Sequence, residues 1–375
     1  MQVNEKEFSF KVSAAGRINI IGEHIDYCGG KVFPAALSLK NTVYVRPNGT
    51  NKINLAWTTL PNTVSLDIDD LLKAKSLKYG NYQAGAAYFW KEKGHKVLGC
   101  DMIQDCTVPF GSGLSSSAAI EVSTIAALCA IAGEEIDPVE IALVSQQAER
   151  EFAGVNCGIM DQYASACGKK NHAMLLDCKT LNCEYVPIDL KDYSFVIINS
   201  KKPHALGESK YNERREETEL GLEIMKKYVD IDCLAELSVA DFEKYGANLP
   251  GKVYDRVKHV VMECERVALA EDAMKSGDLV KLGKLLTESH NSLSKLYEVT
   301  GVELDTLARL GQEHPACLGS RMIGGGFGGC TISIVKTSEV ENFKNDVLPK
   351  YKDLIGYAAE SYDSSIADGI VVEKL

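Results

Sequence analysis

The segment from residue 114 to residue 132 constrains the fold more than any other part of the sequence, because as a helix it is apolar nearly all round. A helix without a polar face has to be buried on every side. Ser123 and Thr124 interrupt its apolar run, which falls short of the ~20 apolar residues that a membrane span needs. We therefore expect a buried helix inside a large core and no membrane span.

Strand-like and helix-like segments alternate along the rest of the chain, which predicts an α/β fold of mixed sheets and helices. Residues 8–21 are predicted to be extended, and a helix capped by Asp137 is predicted to run to about Phe152. Further strands are predicted for residues 172–178, 194–199 and 330–335, and further helices for residues 208–228, 253–275 and 300–314.

The 375 residues favour two domains, since one domain commonly holds ~100–200 residues. The boundary is expected between residues 180 and 200, where a pair of strands gives way to a highly charged helix. We place it at residue 190, which divides the chain into an N-terminal domain of residues 1–190 and a C-terminal domain of residues 191–375.

The charge balance argues against nucleic-acid and anionic-membrane partners. Asp and Glu number 52 against 41 Lys and Arg, which gives a net charge of −11 and a surface that repels phosphate-rich polymers. The twelve cysteines form no C-x-x-C pair, and the first ten residues contain no secretory signal. We therefore expect a cytoplasmic protein with reduced thiols, no bound nucleic acid and no membrane contact.

A run of glycines and serines in residues 108–119 leads directly into the buried helix. Small residues let the backbone approach a ligand closely, and the free N–H groups at a helix N-terminus attract anions. The run therefore predicts a cradle for phosphate groups, although a flexible turn that only caps the helix would have the same composition. It is not a Walker A loop, because G-x-x-x-x-G-K-[ST] does not occur in the chain.

Arg17, Glu23, His24 and Asp26 lie within ten residues of each other in otherwise apolar sequence. Burying four such groups without partners would be unfavourable. One interpretation is a salt-bridged strand end in which Arg17 pairs with Glu23 or Asp26. The other is a pocket for a polyol, since carboxylates and an imidazole bind sugar hydroxyls and an arginine stabilises negative charge.

Glu149 and Asp161 lie twelve positions apart in apolar surroundings, and each is either paired structurally or takes part in catalysis.

Residues 324–329 fit the dinucleotide pattern G-x-G-x-x-G, but they precede a predicted strand rather than a helix. We therefore expect a glycine-rich loop that packs its backbone against a ligand or a neighbouring loop, and no nicotinamide site.

These segments resemble the three signature motifs of the GHMP kinases, and residues 16–30 are similar to the galactokinase branch of that family. Residues 157–162, Ser209-Lys210-Tyr211 and Tyr297-Glu298-Val299 also resemble that branch, so the resemblance runs nearly from end to end. It implies the two-domain GHMP kinase fold, with the active site at the interface between the domains.

The resemblance also implies the roles of individual residues. Asp161 would be the catalytic base that takes the proton from the anomeric hydroxyl of galactose, and Arg17 would stabilise the developing charge beside it. The sugar hydroxyls would be bound by Glu23, His24, Asp26, Gly158, Asp161 and Tyr211. The phosphates of ATP would be held by Gly111, Ser112, Gly113, Leu114, Ser115, Ser116 and Ser117. Magnesium would be held by Glu149 with Ser117 or Ser116, and residues 325–328 would shape the junction of sugar and phosphate.

The implied activity is ATP-dependent phosphorylation of D-galactose at the anomeric hydroxyl, by a monomer with Mg²⁺ as cofactor. Ile25, Cys28 and Lys31 depart from the family's pattern beside the expected sugar loop. A kinase for N-acetylgalactosamine, galacturonate or arabinose is therefore an alternative. A non-catalytic galactose and ATP sensor is another, but the intact Ser117-Ala118 pair and Asp161 favour an enzyme.

Overall fold

Helices and strands alternate along the chain in the computed structural model, which describes residues 3–202 and 207–375. The α-helices are α1 (Asn81–Glu92), α2 (Ser116–Ala132), α3 (Pro138–Ala148), α4 (Met160–Cys167), α5 (Gly207–Met225), α6 (Val239–Tyr245), α7 (Gly251–Ser276), α8 (Leu279–Ser292), α9 (Gly301–Glu313) and α10 (Val340–Ile355). The strands are β1 (Phe10–Asn19), β2 (Lys31–Val32), β3 (Pro34–Pro47), β4 (Lys52–Trp57), β5 (Thr63–Asp67), β6 (Cys100–Cys106), β7 (His172–Asp177), β8 (Cys183–Pro187), β9 (Tyr193–Asn199), β10 (Cys317–Met322), β11 (Cys330–Lys336), β12 (Glu360–Tyr362) and β13 (Val371–Lys374). This mixture confirms the predicted α/β class.

The largest sheet has six strands in the order β13-β1-β3-β6-β4-β5, antiparallel except for the parallel pair β4 and β6. Helix α2 packs against β1 and β3 and is covered by α1, α3 and α4. All of its residues from Ala118 to Cys129 are buried, as its apolar composition predicted. The main core therefore lies between this sheet and the helices around α2.

Two smaller sheets complete the architecture. Four antiparallel strands follow the order β10-β11-β9-β12, with α8 and α9 against β10, and three strands follow the order β2-β7-β8. The predicted boundary at residue 190 falls between β8 and β9 and stays a prediction. Strand β13 pairs with β1 across that position. Every helix in the described part of the chain is too short or too polar to cross a bilayer.

The helix predicted to begin after Asp137 does begin there, because the Asp137 carboxylate accepts hydrogen bonds from the N–H groups of Val139 and Glu140. It does not continue as a regular α-helix to Phe152. Helix α3 ends at Ala148, and Glu149–Ala153 form a π-helical turn. Turns of this kind are frequent at functional sites.

Strand β1 meets the glycine- and serine-rich loop at Gly16. A Cβ atom on Gly16 would lie 2.8 Å from the carbonyl oxygen of Leu114, so only glycine allows this approach. The N–H of Arg17 donates to the same oxygen at 3.0 Å, and the pairing of β1 with β3 shifts register between Ala15 and Arg17. The backbone of β1 therefore brings Arg17 against the loop that precedes α2.

Candidate active site

Arg17 and Asp161 form a bidentate ion pair. The Nε and Nη2 atoms of Arg17 donate to Oδ1 and Oδ2 of Asp161, each at 2.8 Å. The Arg17 side chain is buried, whereas 28% of the Asp161 side chain is exposed. The interpretation in which Arg17 pairs with Glu23 or Asp26 is therefore wrong. Asp161 lies in the first turn of α4, so the site joins β1 to a helix far along the chain.

Two groups of the serine-rich loop complete this ion pair. The Nη1 atom of Arg17 donates to the carbonyl oxygen of Gly113 at 2.6 Å, and the Ser115 hydroxyl donates to Oδ2 of Asp161 at 2.5 Å. Ser115 precedes α2 and has a φ of 63°, a left-handed conformation that is uncommon outside glycine. Such conformations cluster at functional sites. The predicted phosphate loop therefore contacts the carboxylate directly.

A cavity of about 620 Å³ lies beside the ion pair. Five of the predicted phosphate-binding residues line it, namely Gly111, Gly113, Ser115, Ser116 and Ser117. The other two, Ser112 and Leu114, are buried and lie outside its lining. The hydroxyl of Ser112 donates to the carbonyl oxygen of Pro109 at 2.6 Å, so this side chain stabilises the loop itself.

The same large cavity has an apolar wall that sequence reasoning missed. Trp57, Leu60, Tyr79 and Phe110 line it, and Phe110 is 60% exposed. The three aromatic rings among them suit the stacking of an aromatic base. Trp57 ends β4 and Leu60 follows it, whereas Tyr79 precedes α1 and Phe110 lies in the serine-rich loop. No spacing in the sequence connects these four residues.

A second cavity, of about 110 Å³, is lined by polar groups. All of the residues predicted to bind a sugar line it: Glu23, His24, Asp26, Gly158, Asp161 and Tyr211. A Cβ atom on Gly158 would collide with the Asp26 carboxylate, so this close approach also requires glycine. Arg17 and Asp161 line the small and the large cavity alike, which places the ion pair where the two cavities meet.

Glu23 is held by a buried arginine that sequence reasoning missed. The Nη2 atom of Arg321 donates to Oε1 of Glu23 at 3.0 Å, and the N–H of Gly324 donates to the same oxygen at 2.8 Å. Arg321 also donates to the carbonyl oxygens of Asn19 and Ile20. An arginine directly before the apolar pair Met322-Ile323 and the glycine-rich loop was the available signal, since a charge that is buried there needs partners.

His24 adopts a φ of 63°, so its backbone is also left-handed. Its Nδ1 atom lies 2.8 Å from the Tyr27 hydroxyl, and its Nε2 atom lies 3.2 Å from the carbonyl oxygen of Gly325. Burial is the main cause that lowers the pKa of His24 to about 3. The imidazole is therefore neutral at physiological pH and has one ring N–H to donate.

Asp26 is a buried acid whose pKa is raised to about 7 from its ordinary value of 3.8, chiefly by burial and next by the charge of Asp161. The folded protein therefore binds a proton at Asp26 over a pH range in which the unfolded chain has lost it. The contribution of Asp26 to stability is present below its ordinary pKa and is lost as the pH rises through about 7.

We therefore expect the Asp26→Asn variant to gain stability relative to the unmutated protein as the pH rises. Between about pH 5 and about pH 8, the difference in unfolding free energy should move in favour of the variant by about 1 kcal/mol or more, since one unit of pKa shift corresponds to about 1.4 kcal/mol. Urea unfolding of both proteins without ligand measures this difference. A difference that stays constant over this range would contradict the raised pKa.

Ser117 and Glu149 offer oxygen ligands to a cation in the large cavity, and Glu149 also lines the small one. The Ser117 hydroxyl donates to Oε1 of Glu149 at 2.8 Å, and the Gln162 amide donates to Oε2 at 2.5 Å. Burial is the main cause that raises the pKa of Glu149 to about 7, and burial also raises the pKa of the nearby Glu121 well above its ordinary value. A cation bound here would favour the ionised form of Glu149.

This set of oxygen donors fits Mg²⁺. No group of three or more His, Cys, Asp or Glu side chains that could hold a metal by itself occurs in residues 3–202 and 207–375. Mg²⁺ does not need one, because it commonly binds to one or two carboxylates together with phosphate oxygens of a substrate. Ser117 and Glu149 lie beside the serine-rich loop, where such phosphates would be held.

The glycine-rich residues 324–329 lead into strand β11 and not into a helix, as predicted. A Cβ atom on Gly324 would lie 2.7 Å from the carbonyl oxygen of Gly113, so this loop packs its backbone against the serine-rich loop. Gly325 lines both cavities. A loop in this setting cannot serve as the start of a dinucleotide-binding βαβ unit.

Three family models match separate parts of the chain. The galactokinase galactose-binding signature matches residues 2–47, the GHMP kinases N terminal domain matches residues 81–169, and the GHMP kinases C terminal model matches residues 270–353. Together they cover the β1 segment, the serine-rich loop with α4, and the glycine-rich loop.

Individual relatives are similar over nearly the whole chain. Galactokinase of Clostridium tetani is 45% identical over 356 residues, which are 94% of this chain and 91% of the relative. Galactokinase of Lactobacillus helveticus is 44% identical over 359 residues, which are 94% of this chain and 92% of the relative. The crystal structure of Lactococcus lactis galactokinase complexed with galactose superposes with a TM-score of 0.95 at 39% identity, over 99% of this chain and 96% of that one. The Methanococcus jannaschii mevalonate kinase, with a TM-score of 0.70 at 18% identity over 96% of this chain and 99% of that one, shares the fold.

Proposed function

The chain belongs to the galactokinase family of the GHMP kinases, and from this membership we propose that it transfers the terminal phosphoryl group of ATP to the anomeric hydroxyl of D-galactose, with Asp161 as the catalytic base. The reaction class, ATP-dependent phosphorylation of galactose, follows from the family. The products are galactose 1-phosphate and ADP.

One observation carries the assignment of residues to roles. The Arg17–Asp161 ion pair lines both the small polar cavity and the large serine-lined cavity. A sugar in the small cavity and a nucleotide in the large one would therefore meet at this pair. Phosphoryl transfer depends mainly on such positioning and on neutralisation of charge.

The chemistry assigns a separate task to each member of the pair. The anomeric oxygen attacks the terminal phosphorus of ATP, its proton passes to a carboxylate oxygen of Asp161, and the bond from phosphorus to the bridging oxygen of ADP breaks. Arg17 keeps its guanidinium against the carboxylate and offsets the negative charge that gathers between sugar and phosphate. The Ser115 hydroxyl holds Oδ2 of Asp161 in place.

The two cavities supply the binding contacts. Glu23, His24, Asp26, Tyr211 and the backbone of Gly158 are proposed to bind the sugar hydroxyls in the small cavity. Residues 111–117 are proposed to cradle the ATP phosphates, with Ser112 and Leu114 supporting the shape of the loop from outside the cavity. Residues 325–328 are proposed to shape the junction between the two substrates, since Gly325 lines both cavities.

Mg²⁺ is the proposed cofactor, and Ser117 and Glu149 would hold it beside the phosphates. When bound, the ion supplies positive charge that offsets the charge of the ATP phosphates.

We also propose a cytoplasmic monomer without nucleic-acid or membrane partners. The net charge of −11 and the twelve free thiols support this location.

The direct test is an assay of ADP release with ATP, Mg²⁺ and D-galactose, with the product identified by phosphorus NMR. A phosphate on the anomeric carbon is expected. ATP hydrolysis without a phosphorylated sugar, or a phosphate on another carbon, would contradict the proposal.

Sugar specificity provides a second test of the small cavity. We expect kcat/KM to be highest for D-galactose and to fall by about 10²-fold or more for arabinose and galacturonate. Arabinose lacks the hydroxymethyl group with which Glu23 and His24 are proposed to pair, and galacturonate would face Glu23 with like charge. A higher kcat/KM for either sugar, or for N-acetylgalactosamine, would reassign the substrate.

A further inference from the structure

Tyr297-Glu298-Val299 is a segment that resembles the family's sequence but has no part in the mechanism above. Tyr297 ends a π-helical turn, Leu293–Tyr297, that follows α8, and its side chain is fully buried. It lines neither cavity. Its hydroxyl nevertheless lies 2.8 Å from the hydroxyl of Tyr27, which in turn lies 2.8 Å from Nδ1 of His24.

These hydrogen bonds form a series that ends at the carbonyl oxygen of Gly325, and this acceptor fixes which atom donates in each of them. The carbonyl oxygen of Gly325 can only accept, so Nε2 of His24 carries the proton. Nδ1 of the neutral ring is then an acceptor, and the Tyr27 hydroxyl donates to it. Because Tyr27 has only one hydroxyl proton, Tyr297 donates to the oxygen of Tyr27.

The segment that carries Tyr297 is itself held on several sides. The Nε atom of Arg214 donates to the carbonyl oxygen of Tyr297 at 2.8 Å, and Nη2 of Arg256 donates to the Glu298 carboxylate at 2.8 Å. The N–H of Phe327, in the glycine-rich loop, donates to the carbonyl oxygen of Val299 at 2.6 Å. The hydroxyl of Tyr297 therefore projects from a fixed support that also holds the glycine-rich loop.

His24 needs such a support, because its left-handed backbone does not fix the ring by itself. Its ring lies 4.8 Å from the ring of Tyr297 and 5.5 Å from that of Tyr211, measured between centroids. Ring contacts of this kind limit where the imidazole can lie. The hydrogen bonds to Tyr27 and Gly325 then fix the rotation of the imidazole about its Cβ–Cγ bond.

We propose that Tyr297 is a positioning residue for sugar binding, which acts through Tyr27 to orient the His24 imidazole toward the small cavity. This inference rests on the proposed function, in which His24 contacts a sugar hydroxyl. Neither tyrosine touches the substrate. Their effect is to keep the Nε2–H group of His24 at the edge of the cavity, where a bound sugar hydroxyl would share it with the carbonyl oxygen of Gly325 at 3.2 Å.

Replacement of each tyrosine by phenylalanine, which removes only the hydroxyl group, tests the proposal in the full-length chain. We expect Tyr27→Phe to weaken galactose binding by about 10-fold and Tyr297→Phe by about 3-fold, measured by calorimetry without nucleotide. The first change removes the bond to His24, whereas the second removes only the bond that orients Tyr27. Because the two hydroxyls act in series, the double variant should match Tyr27→Phe within about 2-fold.

A matched control separates this effect from loss of any buried hydroxyl. Tyr351 is equally buried, packs in a separate small core with Phe343 and Val347, and donates to the carbonyl oxygen of Ser200 at 2.8 Å. Tyr351→Phe should leave galactose affinity unchanged. Affinity for the non-hydrolysable ATP analogue AMP-PNP should be unchanged in all of these variants.

The affinities for deoxy sugars distinguish a positioning role of the tyrosines from a general loss of structure. In the proposed function, His24 pairs with the 6-hydroxyl, so 6-deoxygalactose should bind Tyr27→Phe as well as it binds the unmutated protein, whereas 2-deoxygalactose should lose the same factor as galactose. Equal losses for all three sugars, or unchanged galactose affinity in Tyr27→Phe, would overturn the inference. Failure of the unmutated protein to bind galactose would instead overturn the proposed function.

Discussion

Replacement of Asp161 by asparagine is expected to lower kcat for galactose phosphorylation by about 10²–10⁴-fold, which is the range that a general base contributes. Asparagine keeps the shape of the side chain and one acceptor for Arg17, but it cannot take the proton of the anomeric hydroxyl. Steady-state kinetics at saturating galactose and ATP measure the loss. Nucleotide affinity, measured by calorimetry with AMP-PNP and Mg²⁺, should change by less than about 3-fold, because Asp161 is not proposed to hold the nucleotide.

Loss of the ion pair leaves a buried guanidinium with fewer partners, so the melting temperature of the Asp161→Asn variant should be recorded as well. Asp353→Asn, which changes an exposed acid on α10, serves as the control and should retain full activity. Near-normal kcat in a folded Asp161→Asn variant would show that another group takes the proton.

Replacement of Glu149 by alanine is expected to weaken the binding of Mg²⁺ with nucleotide by about 10-fold or more, since even groups that only support a metal ligand contribute 10- to 100-fold to metal affinity. Without Mg²⁺, nucleotide affinity should stay the same or rise, because the variant has removed a carboxylate beside the phosphates. Calorimetric titration of AMP-PNP with Mg²⁺ and with EDTA measures both affinities. The ratio of the two is the informative quantity.

Glu151→Ala provides the matched control, because Glu151 lies in the same π-helical turn but is exposed and accepts a hydrogen bond from Gln147. It should leave the ratio unchanged. If Glu149→Ala also leaves it unchanged, Glu149 does not hold the ion.

The elements that the sequence predicts well are those with a local cause. Helix α2 is apolar nearly all round and is buried throughout, and Asp137 caps α3 as its side chain and position imply. Residues 324–329 lead into a strand because β-branched residues alternate after them. The π-helical turn at Glu149 has no comparable local signal, so the sequence predicted a regular helix there.

The contacts within the site depend on residues far apart in the chain. Arg17 and Asp161 are 144 positions apart, and by residue type alone Arg17 pairs equally well with Glu23 or Asp26, which are closer. Only the family resemblance joined Arg17 to Asp161. The pairing of Arg321 with Glu23, 298 positions away, was not predicted. Neither was the apolar wall of Trp57 and Tyr79, since each of these is an ordinary core residue in its own segment.

Strand β13 has a consequence for how the protein is made. It pairs with residues 10–13 of β1, the strand that carries Arg17 at its other end. During synthesis, residues 10–13 cannot form this pairing until residues 371–374 have been made. Until β13 has formed, this part of the edge of the active-site strand can pair with other chains, as unpaired strand edges do.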